Sequence, residues 1–256
     1  MKTSSFIVVA LLFLGQGCEL PDSGAEVSSA FSEGDASSPE GLIMELAVEG
    51  SLEFEGPTPW VPPFASEVVT FDPGEGAGFG EDAFPDVVLG APGPGTDMQP
   101  SLDVLSLGTG GEIVLGFSDR VIVDGPGMDF SVHENPFWPG GVEENVFAEL
   151  GEVSVSEDGD LWWTYPCSPE QGSIETYAGC AGWNPTFSFS ITEGAFLTLA
   201  EMGGDGFDLA ESGLQRVRYI RIKDLSHGGL APTAGFDLDG ISLLFWDYDS
   251  TVTSSR

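Results

Sequence analysis

The sequence predicts an all-β protein, an antiparallel β-sandwich jelly roll, on three observations. Apolar residues fall in short β-branched and aromatic runs. Turn formers separate these runs at close spacing, and the 256 residues include 36 Gly and 18 Pro. Long stretches with a 3.6-residue apolar period are absent, and residues 195–202 hold one short helix at most. Chains of this kind bury their strands between two packed sheets.

Taken in order, the chain opens with a signal peptide at 1–17. Lys2 supplies a short positive region, and residues 6–14 (FIVVALLFL) form an apolar run too short to span a bilayer. The run Leu14-Gly-Gln-Gly-Cys18 resembles a bacterial lipoprotein cleavage site, with Gly15 where a Leu is usual. That resemblance implies lipidation of Cys18 and an exported protein held at the outer membrane or cell surface. Gly15 and Gly17 also suit ordinary signal cleavage and free secretion. Residues 18–41 are rich in Ser, Gly and acid and read as a flexible tether. The β-sandwich domain is placed at 42–248, with 41–54 as a first strand and the proline-rich 56–64 as linker or lead-in. Further strands are expected at 68–71, 87–89, 101–106, 112–117, 121–123, 128–134, 147–156, 162–165, 186–191, 217–223 and 240–246. Each is brief, apolar and bounded by Gly, Pro or Asp. Residues 249–256 read as a polar tail.

Charge narrows the partners. Against 42 acidic residues stand 7 basic ones, a formal net charge of −35. Nucleic acid is excluded as a partner, because phosphate binding needs a basic patch. An anionic membrane surface is disfavoured for the same reason, so membrane attachment is expected only through a lipid anchor. Divalent cations are attracted. Of the three cysteines, Cys167 and Cys180 bracket a short Gly/Ser-containing segment and are expected to form a disulfide, as export permits. Closing that loop stabilises by roughly 3 kcal/mol in the chain-entropy model. Cys18 is then the odd one out.

Two sets of motifs carry a resemblance. In residues 153–165 (VSVSEDGDLWWTY), Val153 and Val155 alternate with Ser154 and Ser156, Asp158-Gly159 is a tight turn, and Trp162 begins the return. This hairpin, with Arg218-Tyr-Ile-Arg-Ile222 downstream, resembles discoidin (coagulation-factor type C) domains over about residues 112–246. The resemblance implies the galactose-binding-like jelly roll. The chain also looks like a group of secreted bacterial cell-surface proteins. That likeness rests on the stretches at 89–92, 106–111, 123–130, 134–137, 203–210 and 236–239, and it brings no enzymatic activity with it.

The acidic residues suggest a metal. Asp237 and Asp239 lie two apart in a strand and are expected on one face, where they repel unless a cation or a donor compensates them. Asp205 and Asp208 lie on the glycine-rich turn at 203–209, and Asp129 and Glu134 are further candidates. Calcium takes 6–8 oxygens and tolerates irregular loops, so it is the expected ion, in a structural role. The alternative is that Asp237 and Asp239 cap turns or pair with Arg218 and Arg221. Residues 203–208 give only one copy of a β-roll repeat, and Asp237-Leu-Asp-Gly lacks the distal Glu of an EF-hand loop. Any site is therefore assembled from distant segments.

Nothing points to catalysis. His133 and His227 are too far apart for a local zinc motif, and no Gly-x-Ser-x-Gly elbow is present. Trp138 and Trp183, in Pro/Gly-rich loops, are the candidate ligand-binding aromatics, whereas Trp162 and Trp246 are expected in the core. The function expected is a non-catalytic, surface-tethered binding or adhesion module, calcium-stabilised, with a glycan or extracellular matrix as ligand. A purely structural surface protein is the alternative, and a glycan-active enzyme a more distant one.

Overall fold

Residues 63–169, 177–187, 198–226 and 229–249 are described in a computed structural model of the chain. Their strands are β1 (Glu67–Asp72), β2 (Leu105–Ser106), β3 (Glu112–Gly116), β4 (Arg120–Val123), β5 (Phe130–Glu134), β6 (Gly151–Ser156) and β7 (Trp163–Thr164). There follow β8 (Cys180–Ala181), the one-turn helix α1 (Leu199–Met202), β9 (Asp205–Phe207), β10 (Arg216–Val217), β11 (Tyr219–Asp224), β12 (Asp237–Leu243) and β13 (Trp246–Tyr248). The fold is all-β and every strand pairing is antiparallel. A six-stranded sheet runs β1-β3-β11-β6-β7, with β8 also on β6. A four-stranded sheet runs β2-β12-β5-β9, and a three-stranded one β10-β4-β13.

Period-2 alternation builds the core. Ile113 and Leu115 of β3, Val153 and Val155 of β6, and Ile220 and Ile222 of β11 are fully buried. From the four-stranded sheet come Phe130, Val132, Leu238, Ile241 and Leu243, and the two sets form one apolar cluster. The arrangement is sandwich-like. Strand β11 lies between β3 and β6, so Ile222 has Ile113 on one side and Val153 on the other. The hairpin β6–β7 forms as its sequence predicts. Asp158 Oδ1 accepts from Asp160 N and Leu161 N at 2.9 Å, and Gly159 takes φ 82°. Cys167 and Cys180 are disulfide-bonded, which ties the end of that hairpin to β8.

Several sequence expectations are corrected. Residues 87–89 are not a strand: Asp86–Val88 is a 3₁₀ turn that lowers Val88 into the core. A three-residue apolar run has no period to tell the two apart. Of 101–106 only Leu105–Ser106 pairs. The run at 217–223 divides at Arg218, and that at 240–246 divides because the Leu244 and Phe245 amides both turn to the Asp129 carbonyl, at 2.8 and 3.1 Å. The glycine-rich turn at 203–209 contains a strand, β9, paired with β5. Thr186 only bridges to Gly203, and 188–191 lie outside the described residues. So do the signal peptide, the tether, Cys18, the strand expected at 41–54 and His227. Asp249, assigned to the tail, is buried and accepts from Arg218 Nε at 2.6 Å.

Replacing Ile222 with Ala removes a side chain gripped on both flanks of the central strand. We expect a loss of about 2–4 kcal/mol, read as a lower urea midpoint at unchanged m-value; a loss under about 1 kcal/mol would place β11 outside the core.

Candidate metal centre

The fold buries Asp129, Glu134, Asp205, Asp224, Asp237 and Asp239. Among the described residues no Lys or Arg forms an ion pair with these six. The ion pairs among the described residues include those of Arg120 with Asp119, Arg218 with Glu157 and Asp249, and Arg221 with Glu112. Most of the buried acids are instead satisfied by amides. Asp129 accepts from Gly125 N and Leu209 N, both at 2.7 Å. Asp205 accepts from Gly182 N at 2.7 Å, Trp183 N at 3.1 Å and Asn184 Nδ2 at 3.0 Å. Asp224 accepts from Gly110 N and Phe236 N at 2.8 Å and from Ser226 N at 3.1 Å. Each of these carboxylates fastens two or more loops.

Three acids are served less well. Glu134 ends β5, Asp237 opens β12, and Glu149 lies just before β6; each brings a carboxylate oxygen within 4.8 Å of the other two. The pairing of β12 with β5 sets Leu238 opposite Glu134 and so brings the neighbouring Asp237 to it. Ser106 donates its hydroxyl to Asp237 Oδ1. Glu134 is 2% exposed, and its Oε2 is buried with no hydrogen-bond partner. Two full charges 4.8 Å apart repel by roughly 3.5 kcal/mol at an effective dielectric of 20. Burial, then Asp237 and Glu149, push the Glu134 carboxyl well above the usual range. Burial, then Asp237 and Asp224, push Glu149 up to about 7, and burial raises Asp237. Such a group takes up protons or a cation.

A second group brings Asp124, Asp129 and Asp208 equally close. There each carboxylate has a donor: Asp129 as above, Asp208 Oδ1 from Ala210 N at 2.8 Å, and Asp124 Oδ2 from Gln215 Nε2 at 3.1 Å.

The four carboxylates expected around one ion therefore do not form one cluster. Asp237 belongs to the first group and Asp208 to the second, while Asp205 is bound by its three donors. Asp239 accepts from Gly93 N at 2.6 Å, and its Oδ2 is buried without a hydrogen bond of good geometry. The separation of Asp237 from Asp239 coincides with a register shift of β12 on β5 between Leu238 and Gly240, which breaks the simple alternation. Neither aspartate pairs with Arg218 or Arg221. Asp129 and Glu134 fall in different groups. Glu149 is not a candidate from sequence, because a lone acid in a run read as one strand, 147–156, has no local ligand pattern. The strand begins only at Gly151, and its lead-in turns Glu149 towards Asp237.

The aromatic candidates also shift. Trp138 is half-buried, with its indole Nε1 buried and unpartnered. Trp183 is half-buried, and its Nε1 donates to the Cys180 carbonyl at 3.0 Å. Trp162, expected in the core, lies outside it, with the Arg221 guanidinium 4.6 Å over its ring. Its neighbour Trp163 is the ring that packs on the core, edge-on to Tyr165 at 4.5 Å. Trp246, expected in the core, is half-buried and packs against it, with Arg120 4.5 Å over its ring. His133 is buried on Thr186 and Ser242, at 3.2 and 2.8 Å, and burial lowers its pKa to about 3, so it stays neutral.

No family model matches the chain, and comparison with curated proteins and with solved structures finds no match to either.

Burial raises Asp205 and Asp239 to about 7, outweighing the donors on each. Unfolded, both titrate near 4, as Asp does in a free chain. Between these values the folded state holds protons that the unfolded state has released, so stability falls as pH rises from about 4 to about 7 and stays low above that. Urea unfolding in chelator should accordingly give a higher midpoint at pH 5 than at pH 8, with Asp239→Asn flattening the trend; a midpoint that rises with pH would contradict it.

Proposed function

We propose that this protein is a non-catalytic binding or adhesion module, exported and tethered to the outer membrane or cell surface through a lipid on Cys18. Its antiparallel sandwich is read as a galactose-binding-like jelly roll, similar to discoidin domains, stabilised by calcium and directed at a glycan or matrix ligand. The observation that supports the ligand class is the solvent face of the six-stranded sheet. Trp162 stands there with Arg221 stacked over it at 4.6 Å. Arg221 also donates to Ser154 Oγ at 3.4 Å, and Ser154 bonds to the Thr164 hydroxyl at 2.9 Å. Tyr219, two residues before Arg221 on β11, lies against Gly159 of the hairpin turn. A half-exposed ring, a guanidinium and the exposed Thr164 hydroxyl, with Ser154 buried beneath them, suit a pyranose, whose faces stack and whose hydroxyls accept and donate hydrogen bonds. Arg221 is one of few positive charges in a strongly acidic chain, and Glu112 lies 4.0 Å from it. That ion pair favours a second reading, in which the face is self-satisfied and the protein is purely structural.

A glycan array separates the two. Wild type should bind a defined subset of glycans, and Trp162→Ala, with its circular dichroism unchanged, should lose about tenfold in affinity, the equivalent of roughly 1.4 kcal/mol. Binding to no glycan would favour the structural reading, and reducing-sugar release from polysaccharides would overturn the non-catalytic one. For the tether, Cys18→Ser should move the protein from the membrane fraction to the medium; an unchanged distribution would reject the lipid anchor.

A further inference from the structure

We propose that Glu134, Glu149 and Asp237 are the side-chain ligands of one calcium ion that clamps the two main sheets together. The inference deepens the calcium part of the proposed function and is independent of its glycan part.

The oxygens of the three carboxylates converge within 4.8 Å. No Lys or Arg pairs with any of them among the described residues. The Ser106 hydroxyl and the Asn135 side chain serve Asp237, and both donors are neutral. Glu134 is almost wholly buried, yet its Oε2 has no partner. A buried oxygen in that state carries the full cost of desolvation unless something compensates it. The contrast within the same molecule is informative. Asp129, Asp205 and Asp224 are as deeply buried, and each is met by two or three amide donors. At Glu134 the fold supplies one backbone amide, that of Asn135, and leaves Oε2, the oxygen in the acidic group, without a donor. The group that fits there brings its own positive charge.

The donor set selects the ion. It is all oxygen and carries up to three negative charges. His133 is engaged with Thr186 and Ser242, and both Cys167 and Cys180 are in a disulfide, so no soft ligand competes. Hard oxygen donors suit calcium or magnesium rather than zinc or copper. Magnesium dehydrates reluctantly and keeps several waters, whereas calcium accepts mono- or bidentate carboxylates in irregular geometry, which suits a ligand as buried as Glu134. The wider field agrees. Asp205 acts on Glu134 and Asp224 on Glu149, adding negative potential from two further carboxylates.

The positions give the ion its role. Glu134 and Asp237 lie on adjacent strands of the four-stranded sheet, and Glu149 leads into β6 of the six-stranded one. A shared cation converts a three-way repulsion into a link between the sheets, and binding to the folded state alone raises stability by mass action.

The test uses the purified full chain, stripped with EGTA and dialysed into calcium at pH 7.5. We expect one bound calcium per chain by elemental analysis. With free calcium at about 100 times Kd, the thermal midpoint should rise by about 5–10 °C. Glu149→Gln should abolish both, while Asp124→Asn, in the other acidic group, should keep both. Glu149 is half-buried, so its variant should fold. In EGTA its midpoint should equal or exceed that of wild type, because one repelling charge is gone. If Glu149→Gln does not fold, Asp237→Asn is read in the same way. Wild type that binds no calcium would overturn the proposal and leave protons as the compensating species. So would a Glu149→Gln variant that binds like wild type, or a site lost only in Asp124→Asn. Glycan binding by wild type and its loss in Trp162→Ala are read separately, so failure of either proposal is distinguishable from failure of the other.

Discussion

A chain with 42 acidic and 7 basic residues has too few cations to pair with every carboxylate it buries, and much of this structure follows from that shortage. Arg218 serves one buried acid, Asp249, while Arg120 lies over Trp246 and Arg221 over Trp162. Backbone amides serve most of the other buried acids. Asp224 is the clearest case. It closes β11 and accepts amides from Gly110, Ser226 and Phe236, so one side chain holds three segments at the edge of the sandwich. Asp205 does the same for residues 182–184. Loops rich in glycine have free amides to offer and little side-chain bulk to keep them apart. The abundance of Gly and of Asp is therefore one feature of the fold, not two.

Close approach of loops to the outer face of the four-stranded sheet shows the same economy. A Cβ on Gly204 would lie 2.6 Å from Ser131 Oγ and 2.7 Å from His133 Nδ1, and Gly204 has φ 77°. Only glycine fits. The turn can then settle on the sheet: Ser131 donates to the Gly203 carbonyl at 3.2 Å, and Thr186 to the Glu134 carbonyl at 3.0 Å. This polar layer covers strands whose other face is the apolar core. It lies beside the end of β5 where Glu134 enters the acidic group.

Much of the architecture was legible because alternation is local. The pairs Val153/Val155 and Ile220/Ile222 declare an inward face with a period of two, and the Asp158-Gly159 turn declares the hairpin that joins β6 to β7. Element boundaries were less legible where one tertiary acceptor decides them. The run at 240–246 has no internal stop signal, and its division depends on a carbonyl more than a hundred residues away, that of Asp129. Of the site, two of three members were visible as acids in strands, Glu134 and Asp237. Their grouping was not, because alternation placed Asp237 with Asp239, and the register shift in β12 sets them in different surroundings.

By itself, then, the sequence determined the all-β class, the strands that alternate, the disulfide pair and the excess of acid over base. These are properties of neighbours along the chain and of totals. Tertiary structure alone decided which carboxylates meet, since Glu134, Glu149 and Asp237 come from three strands or lead-ins whose order in space depends on pairing. It also decided which tryptophan faces outward. Trp162 and Trp163 are adjacent and identical in type; the pairing of Val155 with Trp163 turns one ring to the core and leaves the other over Arg221.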